Sequence, residues 1–289
     1  MVFMRQTIKV VIPTLNPGEG FLSLAEALNA QEGISPRDVL VVDSSSDDDT
    51  VTLAKSFGFS IRVIPRKSFS HGKTRKEAAE SLDTDIVVFM TQDALPAAKD
   101  SILRLCVCLW KDDRIGVAYG RQLPKPSASL MAKHARLFNY PAESRIKTKA
   151  DIETMKIKAA FCSDVFAAYN KCHLDAVGGF DDTGFGEDTL AAAKFLFHGY
   201  AIYYCADACV YHSHDYTCWQ EFDRYMKTGR FHKENISVFE KLGKAEGEGL
   251  RFVRSELKYL YEQGAGWQIP SAFIRNVLKY AGYFIGRHT

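Results

Sequence analysis

The chain has 289 residues, of which 46% are hydrophobic, 25% charged and 12% aromatic, so it is an ordinary globular sequence and not a collagen-like, coiled-coil or disordered one. Basic and acidic residues nearly balance, 37 against 35, and no nucleic-acid partner is expected. Seven cysteines without a CxxC pair exclude a disulfide framework and a zinc ribbon, and are typical of a reducing compartment.

Short β-branched runs alternate with helical patterns over the first 120 residues. The apolar runs predict strands at Ile8–Pro13, Val39–Asp43, Ile61–Ile64, Asp85–Met90 and Ile115–Tyr119. The periodicity between them predicts helices at Phe21–Gln31, Thr50–Phe57, Thr74–Ser81 and Lys99–Lys111. Strands that are apolar almost throughout, with helices between them, predict an α/β fold whose mostly parallel sheet is covered on both faces.

The pattern is irregular over residues 122–158 and then resumes. The later elements are predicted as a strand at Phe161–Tyr169, a helix at Thr189–His198, and strand-like runs at Ala201–Tyr204 and Cys209–His212. Beyond Thr217 the chain is predicted to be helical.

Polar residues stand where three of the predicted strands end. They are the clusters Pro13-Thr14-Leu15-Asn16, Asp43 to Asp49, and Thr91-Gln92-Asp93-Ala94. Because such sheets bind ligands beyond the carboxyl ends of their strands, these clusters predict one site, although Asp47 to Asp49 fit a turn equally well. No GxGxxG, GxxxxGK[ST] or GxSxG motif is present, which excludes the standard dinucleotide, P-loop and hydrolase-elbow sites.

The residue types fit the requirements of sugar transfer from a nucleotide. The leaving diphosphate needs a divalent cation and basic partners, and the acceptor hydroxyl needs a carboxylate that removes its proton. Oxygen ligands suit Mg²⁺ or Mn²⁺, and Mn²⁺ also accepts imidazole. The candidates for these roles are Asp93, His212 or His214, Arg75, Arg224 and Asp188.

Seven motifs follow one another along the chain. They are Val11-Ile12-Pro13-Thr14-Leu15-Asn16, Val42-Asp43-Ser44-Ser45-Ser46-Asp47-Asp48, Phe69-Ser70-His71-Gly72-Lys73-Thr74-Arg75, Thr91-Gln92-Asp93-Ala94, Gly120-Arg121-Gln122-Leu123-Pro124, Gly186-Glu187-Asp188 and His212-Ser213-His214-Asp215-Tyr216-Thr217. In this order they resemble the inverting nucleotide-sugar glycosyltransferases of family 2, and within them the bacterial rhamnosyltransferases of surface-polysaccharide assembly. The resemblance implies the GT-A fold, a Rossmann-like sheet with helices on both faces, followed here by a C-terminal helical extension.

The resemblance also implies a role for each site residue. The donor-binding residues would be Pro13, Thr14, Asn16, Asp43, Ser45, His71, Arg75, Gln92, Asp93 and Arg224, with Thr14 and Asp43 at the pyrimidine base. Asp93, with His212 or His214, would hold the Mg²⁺ or Mn²⁺ cofactor, and Asp188 would be the catalytic base, with Glu187 as the alternative. The Asp-x-Asp motif usual in the family reads Thr91-Gln92-Asp93 here, so one carboxylate is replaced.

The implied activity is transfer of L-rhamnose from dTDP-β-L-rhamnose to a saccharide or lipid-pyrophosphate-linked saccharide acceptor in O-antigen, capsule or cell-wall polysaccharide synthesis. The alternatives are another UDP- or dTDP-sugar donor and a non-catalytic nucleotide-sugar-binding scaffold. A sugar nucleotidyltransferase would need a GxGTRL loop, and the sequence has none. The predicted domains are 1–232, with a nucleotide-binding half at 1–121 and an acceptor and catalytic half at 122–232, and a helical extension at 233–289.

The charge is unevenly distributed along the chain. Residues 121–158 carry nine Lys and Arg against three Asp and Glu, and residues 251–289 carry six against two. The last helix has an apolar stripe formed by Phe273, Val277, Ala281, Phe284 and Ile285, with Arg275, Lys279 and Arg287 elsewhere on it. A helix of this kind suits an anionic membrane surface or packing on the catalytic domain. We therefore expect a cytoplasmic protein, peripheral to the inner face of the cytoplasmic membrane.

Overall fold

The computed structural model describes residues 6–244 and 247–289. The strands are β1 (Ile8–Thr14), β2 (Val39–Asp43), β3 (Ser60–Val63), β4 (Ile86–Met90), β5 (Leu95–Pro96), β6 (Ile115–Leu123), β7 (Arg145–Lys147), β8 (Phe166–Asn170) and β9 (Ala201–Tyr211). In these residues they form one sheet in the order β3-β2-β1-β4-β8-β6-β9-β5, with β7 paired to β9.

The helices separate the strands and then fill the C-terminal part of the chain. They are α1 (Gly20–Asn29), α2 (Thr50–Ser56), α3 (His71–Glu80), α4 (Ser101–Val107), α5 (Leu130–Asn139), α6 (Ile152–Met155), α7 (Lys171–Ala176), α8 (Glu187–Phe197), α9 (Cys218–Glu234), α10 (Ile236–Leu242), α11 (Glu248–Glu262) and α12 (Ile269–His288).

The predicted α/β architecture is confirmed, and burial explains it. Every residue of β2 and β4 is buried, which matches the apolar sequence of β4 and of β2 before Asp43. β1 pairs in parallel with β2 and β4, and β2 pairs in parallel with β3, so the carboxyl ends of these strands share one edge. β8 joins the sheet antiparallel to β4, and therefore its amino end lies at that same edge.

Several element boundaries differ from the sequence predictions. The strand predicted at Phe161–Tyr169 is β8, which begins only at Phe166, and the helix predicted from Thr189 is α8, which begins at Glu187. α3 begins at His71, whereas the sequence predicted Thr74. Glycine usually interrupts a helix, but Gly72 lies in the first turn of α3. The two strand-like runs after residue 201 are one strand, β9, in which the exposed Asp207 interrupts the apolar pattern without interrupting the backbone.

The chain divides into two compact units. The first contains residues up to 121, 142–150 and 160–211, and the second contains residues 122–141, 151–159 and 212 onward. The first unit holds most of the sheet, and the apolar residues of α1 (Phe21, Leu24, Ala25 and Leu28) are buried at helical spacing in its core. The domain boundary at residue 232 stays a prediction, and α9 runs through that position.

The second unit is built on a close pair of helices, α9 and α12. Glycines permit the contact: a Cβ on Gly286 would lie 1.9 Å from the backbone oxygen of Met226, and one on Gly229 would lie 2.3 Å from that of Tyr283. In the part of the chain that the structure describes, no helix combines the length and the apolar character needed to cross a bilayer.

Candidate active site

The ends of β1 and β2 are joined by a buried carboxylate. Thr14 and Asp43 are register partners, and the Thr14 hydroxyl donates to Asp43 Oδ2 over 2.9 Å. Ser46 donates to the same carboxylate twice, from its hydroxyl (2.6 Å) and from its backbone N–H (2.8 Å). Asp43 is fully buried, so in this structure it orders the loop that follows β2. Its recognition of a pyrimidine base stays a prediction.

The loops after β1 and β2 contain two non-glycine residues in the left-handed region, Asn16 at φ 43° and Ser45 at φ 61°. The Asn16 side chain accepts from the backbone N–H of Asp47 over 2.7 Å, and the Ser45 hydroxyl donates to the Ile64 carbonyl over 2.8 Å. Such strained conformations persist only where surrounding contacts fix them, and they cluster at functional sites. Pro13, the remaining predicted residue here, lies half-buried within β1 opposite Val42.

The segment after β4 is held by its own polar residues. The Gln92 side chain accepts from the Leu15 N–H (2.8 Å) and donates to the Leu15 carbonyl (3.2 Å), which joins the ends of β1 and β4. The Thr91 hydroxyl donates to Asp93 Oδ1 over 2.8 Å. Thr91 thus stands where the family's motif has its first carboxylate, and its hydroxyl orients the carboxylate of Asp93.

The His71-Gly72 pair packs α3 against the loop that precedes α8. A Cβ on Gly72 would lie 1.8 Å from the Asp181 carbonyl oxygen, so only glycine fits. The Gly72 N–H donates to the Thr183 carbonyl over 2.9 Å, and the Ser70 hydroxyl donates to Asp182 Oδ1 over 2.7 Å. Glycine at this position therefore fixes the loop that leads into the acidic pair at the start of α8.

A buried guanidinium lies among three carboxyl groups. Arg75 on α3 places Nη1 2.9 Å from Glu187 Oε1 and Nε 3.2 Å from Asp164 Oδ2, and all three side chains are buried. The Tyr169 hydroxyl donates to Asp164 Oδ1 over 2.6 Å. Burial lowers the pKa of Arg75, but the carboxylates Glu187, Asp164 and Asp188 raise it by more, so the group stays charged.

Asp188 is the half-buried member of this cluster. Its carboxylate accepts from the backbone N–H of Thr189 over 2.7 Å and from that of Asp164 over 3.4 Å, at the N-terminus of α8. Burial, and then the adjacent Glu187 charge, raises the pKa of Asp188 to about 6. A carboxylate of this pKa is ionised at neutral pH and accepts a proton more readily than an ordinary aspartate. Burial likewise raises the pKa of Asp164, to about 8.

His71 is held as a neutral hydrogen-bond donor. Arg75 Nη1 lies 3.1 Å from His71 Nδ1, and because a guanidinium only donates, Nδ1 is the accepting nitrogen. The proton of the neutral ring is therefore on Nε2. Burial, and then the Arg75 charge, lowers the pKa of His71 to about 4, so the ring stays neutral at physiological pH. The side chain is nevertheless 46% exposed, at the first residue of α3.

Asp164 and Tyr169 are not among the site residues that the sequence predicts. The prediction relies on the carboxyl ends of parallel strands, whereas Asp164 precedes β8, which runs antiparallel to β4. Met90 at the end of β4 pairs with Phe166 at the start of β8, so a residue just before β8 lies at the ligand-binding edge. A polar residue before an apolar strand was the available signal, but the direction of that strand was unknown.

In the second unit, two histidines follow β9. His212 is buried and its ring is 4.6 Å from that of His214, which stacks on Tyr216 at 5.0 Å. The Arg224 guanidinium lies 5.4 Å from the Tyr216 ring centre, on the exposed side of α9. Gln220, in the first turn of α9, takes part in the helix cap, since its side chain accepts from the Thr217 N–H over 2.8 Å.

The donor types of the three metal ligands that the resemblance implies, Asp93, His212 and His214, suit a divalent cation. A carboxylate oxygen is a hard ligand and an imidazole nitrogen a softer one, so a mixed set suits Mn²⁺ better than Mg²⁺, which prefers oxygen throughout. His212 Nδ1 lies 2.8 Å from Gln122 Oε1, which is the kind of hydrogen bond that orients metal-binding histidines.

Comparisons with known proteins agree with this architecture. The family model described as Glycosyl transferase family 2 matches residues 9–178. The O-antigen chain rhamnosyltransferase RfbN of Salmonella typhimurium strain LT2 is 43% identical over 284 residues, which cover 97% of this chain and 90% of RfbN. WbaN of Salmonella anatum, also an O-antigen chain rhamnosyltransferase, is 41% identical over 286 residues, which cover 96% of this chain and 89% of WbaN.

Among solved structures, the mannosyltransferase PcManGT from Pyrobaculum calidifontis, in complex with GDP-Man and Mn²⁺, superposes with a TM-score of 0.65. The match covers 98% of this chain and 88% of PcManGT at 16% identity, so it supports the GT-A fold alone. Taken with the family model and the two relatives, which span nearly the whole chain, it leads to one conclusion: the chain belongs to glycosyl transferase family 2 and is a glycosyltransferase.

Proposed function

We propose that this glycosyltransferase transfers L-rhamnose, from dTDP-β-L-rhamnose, to a growing surface polysaccharide with inversion at the anomeric carbon. The names of the two relatives, both O-antigen chain rhamnosyltransferases, support the sugar and the polymer. The donor nucleotide and a lipid-pyrophosphate-linked acceptor follow from the motif resemblance.

The observation that carries the catalytic proposal is the environment of Asp188. Glu187 is buried and held by Arg75 at 2.9 Å, so it is poorly placed to meet a substrate. Asp188 is half-buried, is oriented by two backbone N–H groups, and has a pKa raised to about 6. We therefore propose Asp188 as the base, with burial and the adjacent Glu187 charge as the features that make it more basic.

In the proposed reaction, Asp188 takes the proton of the acceptor hydroxyl, and the hydroxyl oxygen attacks the anomeric carbon. The bond between that carbon and the diphosphate oxygen breaks, and its electron pair leaves with the nucleoside diphosphate. A single displacement inverts the centre, so a β-linked donor gives an α-L-rhamnoside. Arg75 stays within the carboxyl cluster and neutralises part of its charge, so that Asp188 can exist as the free carboxylate before the reaction.

His71 is proposed to bind the donor diphosphate. Its Nε2–H is a neutral donor at the N-terminus of α3, where the helix dipole favours an anion. Asp93, His212 and His214 are the proposed ligands of a divalent cation, which when bound would stabilise the charge of the leaving diphosphate. Arg224 and the loop residues Thr14, Asn16, Asp43, Ser45 and Gln92 complete the proposed donor site.

A thermal-shift panel of dTDP-rhamnose, dTDP, UDP-sugars and GDP-mannose, each with Mn²⁺, tests the donor. We expect dTDP-rhamnose and dTDP to raise Tm more than the others, and His71→Ala to reduce the gain. A larger gain from a UDP-sugar would contradict the proposed donor. With dTDP-β-L-rhamnose and a lipid-linked saccharide, nuclear magnetic resonance of the product reads the anomeric configuration, and a β-rhamnoside would contradict inversion.

We also propose that the chain works at the cytoplasmic face of a membrane, with α12 in contact with lipid. The helix exposes one apolar face that includes Phe273 (61% exposed), Tyr280 (72%) and Phe284 (52%). Aromatic side chains of this kind suit the boundary between headgroups and acyl chains, and a lipid-linked acceptor would be presented there.

The basic residues of α12 are used differently from what the sequence suggested. Arg275 donates to the Tyr216 carbonyl over 2.6 Å and lies 3.5 Å from Glu221 Oε1, and Lys279 lies 3.3 Å from Glu221 Oε2. These two charges therefore fasten α12 to α9, and lipid contact would depend on the apolar face.

Vesicle flotation with the full chain tests this contact. We expect the wild type to float with vesicles that contain anionic lipid, and the double variant Phe273→Ser, Phe284→Ser to stay in the soluble fraction. Leu22→Ser, at an exposed apolar residue of α1, is the matched control and should float like the wild type. Flotation of the double variant at wild-type levels would contradict the role of α12.

A further inference from the structure

Gln122, in the Gly120–Pro124 motif, connects an arginine to a histidine inside the second unit. Its Oε1 accepts from Arg136 Nη1 over 2.7 Å and lies 2.8 Å from His212 Nδ1, while its Nε2 donates to the Tyr140 hydroxyl over 2.6 Å. Gln122 and His212 are 2% and 4% exposed, so these contacts are shielded from water. Gln122 thus links the motif to a buried polar network that includes His212, a proposed metal ligand.

The arginine determines which end of the Gln122 amide faces it. A guanidinium has donors and no acceptor, so the amide atom 2.7 Å from Arg136 Nη1 is the oxygen. The reversed amide would place two buried donors against each other and leave one of them unsatisfied, which is unfavourable in a buried site. Because the oxygen also faces His212 Nδ1, that nitrogen must donate, and the neutral ring carries its proton on Nδ1.

We propose that Gln122 and Arg136 are positioning residues that hold His212 in the Nδ1–H tautomer and so make Nε2 its metal-binding nitrogen. This inference rests on the proposed function, in which His212 is a metal ligand. Histidines that bind metals regularly donate their other ring N–H to a fixed acceptor, which sets both tautomer and ring orientation. Here the acceptor is an amide whose own orientation is set by an arginine.

The backbone of the same motif, together with Lys125 directly after it, fixes the main chain at His212 and Ser213, just beyond the end of β9. The His212 N–H donates to the Leu123 carbonyl over 2.9 Å, and the Lys125 N–H donates to the Ser213 hydroxyl over 3.1 Å. The motif therefore holds both the main chain and the ring of His212. His71 is the opposite case: Arg75 donates directly to its Nδ1, so its proton lies on Nε2, where it can meet an anion.

Long-range ¹H–¹⁵N correlation spectra of the full chain, labelled at histidine nitrogen and free of metal at pH 8, test the tautomer. We expect His212 to show the Nδ1–H pattern and His71 to show the Nε2–H pattern in the same spectrum, with His212→Asn and His71→Asn used for the assignment. An Nε2–H pattern for His212 would overturn the inference.

Two variants of Gln122 then test the consequence for metal binding by calorimetry with Mn²⁺. Gln122→Met removes the acceptor, and we expect Mn²⁺ affinity to fall about 10-fold or more, with loss of the Nδ1–H pattern. Gln122→Glu keeps an acceptor between Arg136 and His212 and should retain both the tautomer and the affinity. Unchanged Mn²⁺ affinity in a folded Gln122→Met protein would overturn the positioning role.

These readouts separate this inference from the proposed function. A wild type that shows the Nδ1–H pattern but binds no Mn²⁺ would overturn the ligand role of His212. A protein with the expected tautomer and Mn²⁺ affinity that transfers no sugar would contradict the proposed function and leave the positioning role supported.

Discussion

Replacing Glu187 with glutamine should shift the pH dependence of transfer toward acid. The pKa of Asp188 is raised from 3.8 to about 6, and Glu187 is the largest cause after burial. Loss of the Glu187 charge removes a like charge beside Asp188, and it leaves Arg75 with one fewer anion to neutralise. Both changes favour the ionised form of Asp188, so its pKa falls.

The size of the shift follows from the same numbers. The rise of the Asp188 pKa to about 6 corresponds to roughly 3 kcal/mol between its protonated and ionised forms. Burial remains in the variant, so we expect Glu187→Gln to reverse less than half of that rise, about 1 pKa unit or ~1.4 kcal/mol. A base works only when ionised, so activity is lost as pH falls through this pKa. The acid limb should therefore move from about pH 6 to about pH 5.

The assay is kcat/KM for dTDP-rhamnose between pH 4.5 and 9, which reports the ionisations of the free enzyme. The plateau rate of the variant should also fall, because a carboxylate of lower pKa is a weaker base. Glu77→Gln, at an exposed residue of α3, is the control and should leave the profile unchanged. An acid limb that stays in place or moves toward higher pH would refute the electrostatic reasoning.

Two further predictions concern stability and are read as thermal midpoints. Gly72→Ala places a Cβ 1.8 Å from the Asp181 carbonyl oxygen, so we expect the free energy of unfolding to fall by about 1–3 kcal/mol. In Gly184→Ala, the control, the new Cβ meets no atom within 4 Å and should leave Tm nearly unchanged. Equal Tm values for the two variants would contradict the packing argument. Arg75→Met leaves buried carboxylates without their cation, so it should lower the free energy of unfolding by about 3–5 kcal/mol, or Tm by ~10 °C. Arg104→Met, in an exposed ion pair, is the control and should have no measurable effect. A small loss of stability for Arg75→Met would show that the carboxyl cluster neutralises itself by taking up protons.

The parallel half of the fold could be predicted from sequence because its signals are local. Unbroken apolar runs mark β2 and β4, and the polar residues that follow β1, β2 and β4 mark the edge of the sheet. The acidic pair at the start of α8 was also recognisable, since Glu187 and Asp188 directly follow Gly186.

The remaining site residues depend on contacts that sequence order does not reveal. Asp164 reaches Arg75 only because β8 runs antiparallel to β4, and strand direction is a property of the whole sheet. Gln122 was visible as part of a motif, but its role depends on Arg136, from a helix that follows it in the chain. The apolar stripe of α12 was predicted from periodicity, whereas the pairing of Arg275 with Glu221 depends on how α12 packs on α9.

The central claim is that Asp188 is the base of an inverting transfer, and Asp188→Asn tests it most directly. Asparagine keeps the size of the side chain but cannot take a proton, so we expect transfer from dTDP-rhamnose to fall by at least a factor of about 100, the lower end of what a positioned base contributes. Calorimetry should show dTDP binding unchanged, because Asp188 is proposed to act on the acceptor. Transfer at a wild-type rate by a folded Asp188→Asn protein would contradict the account.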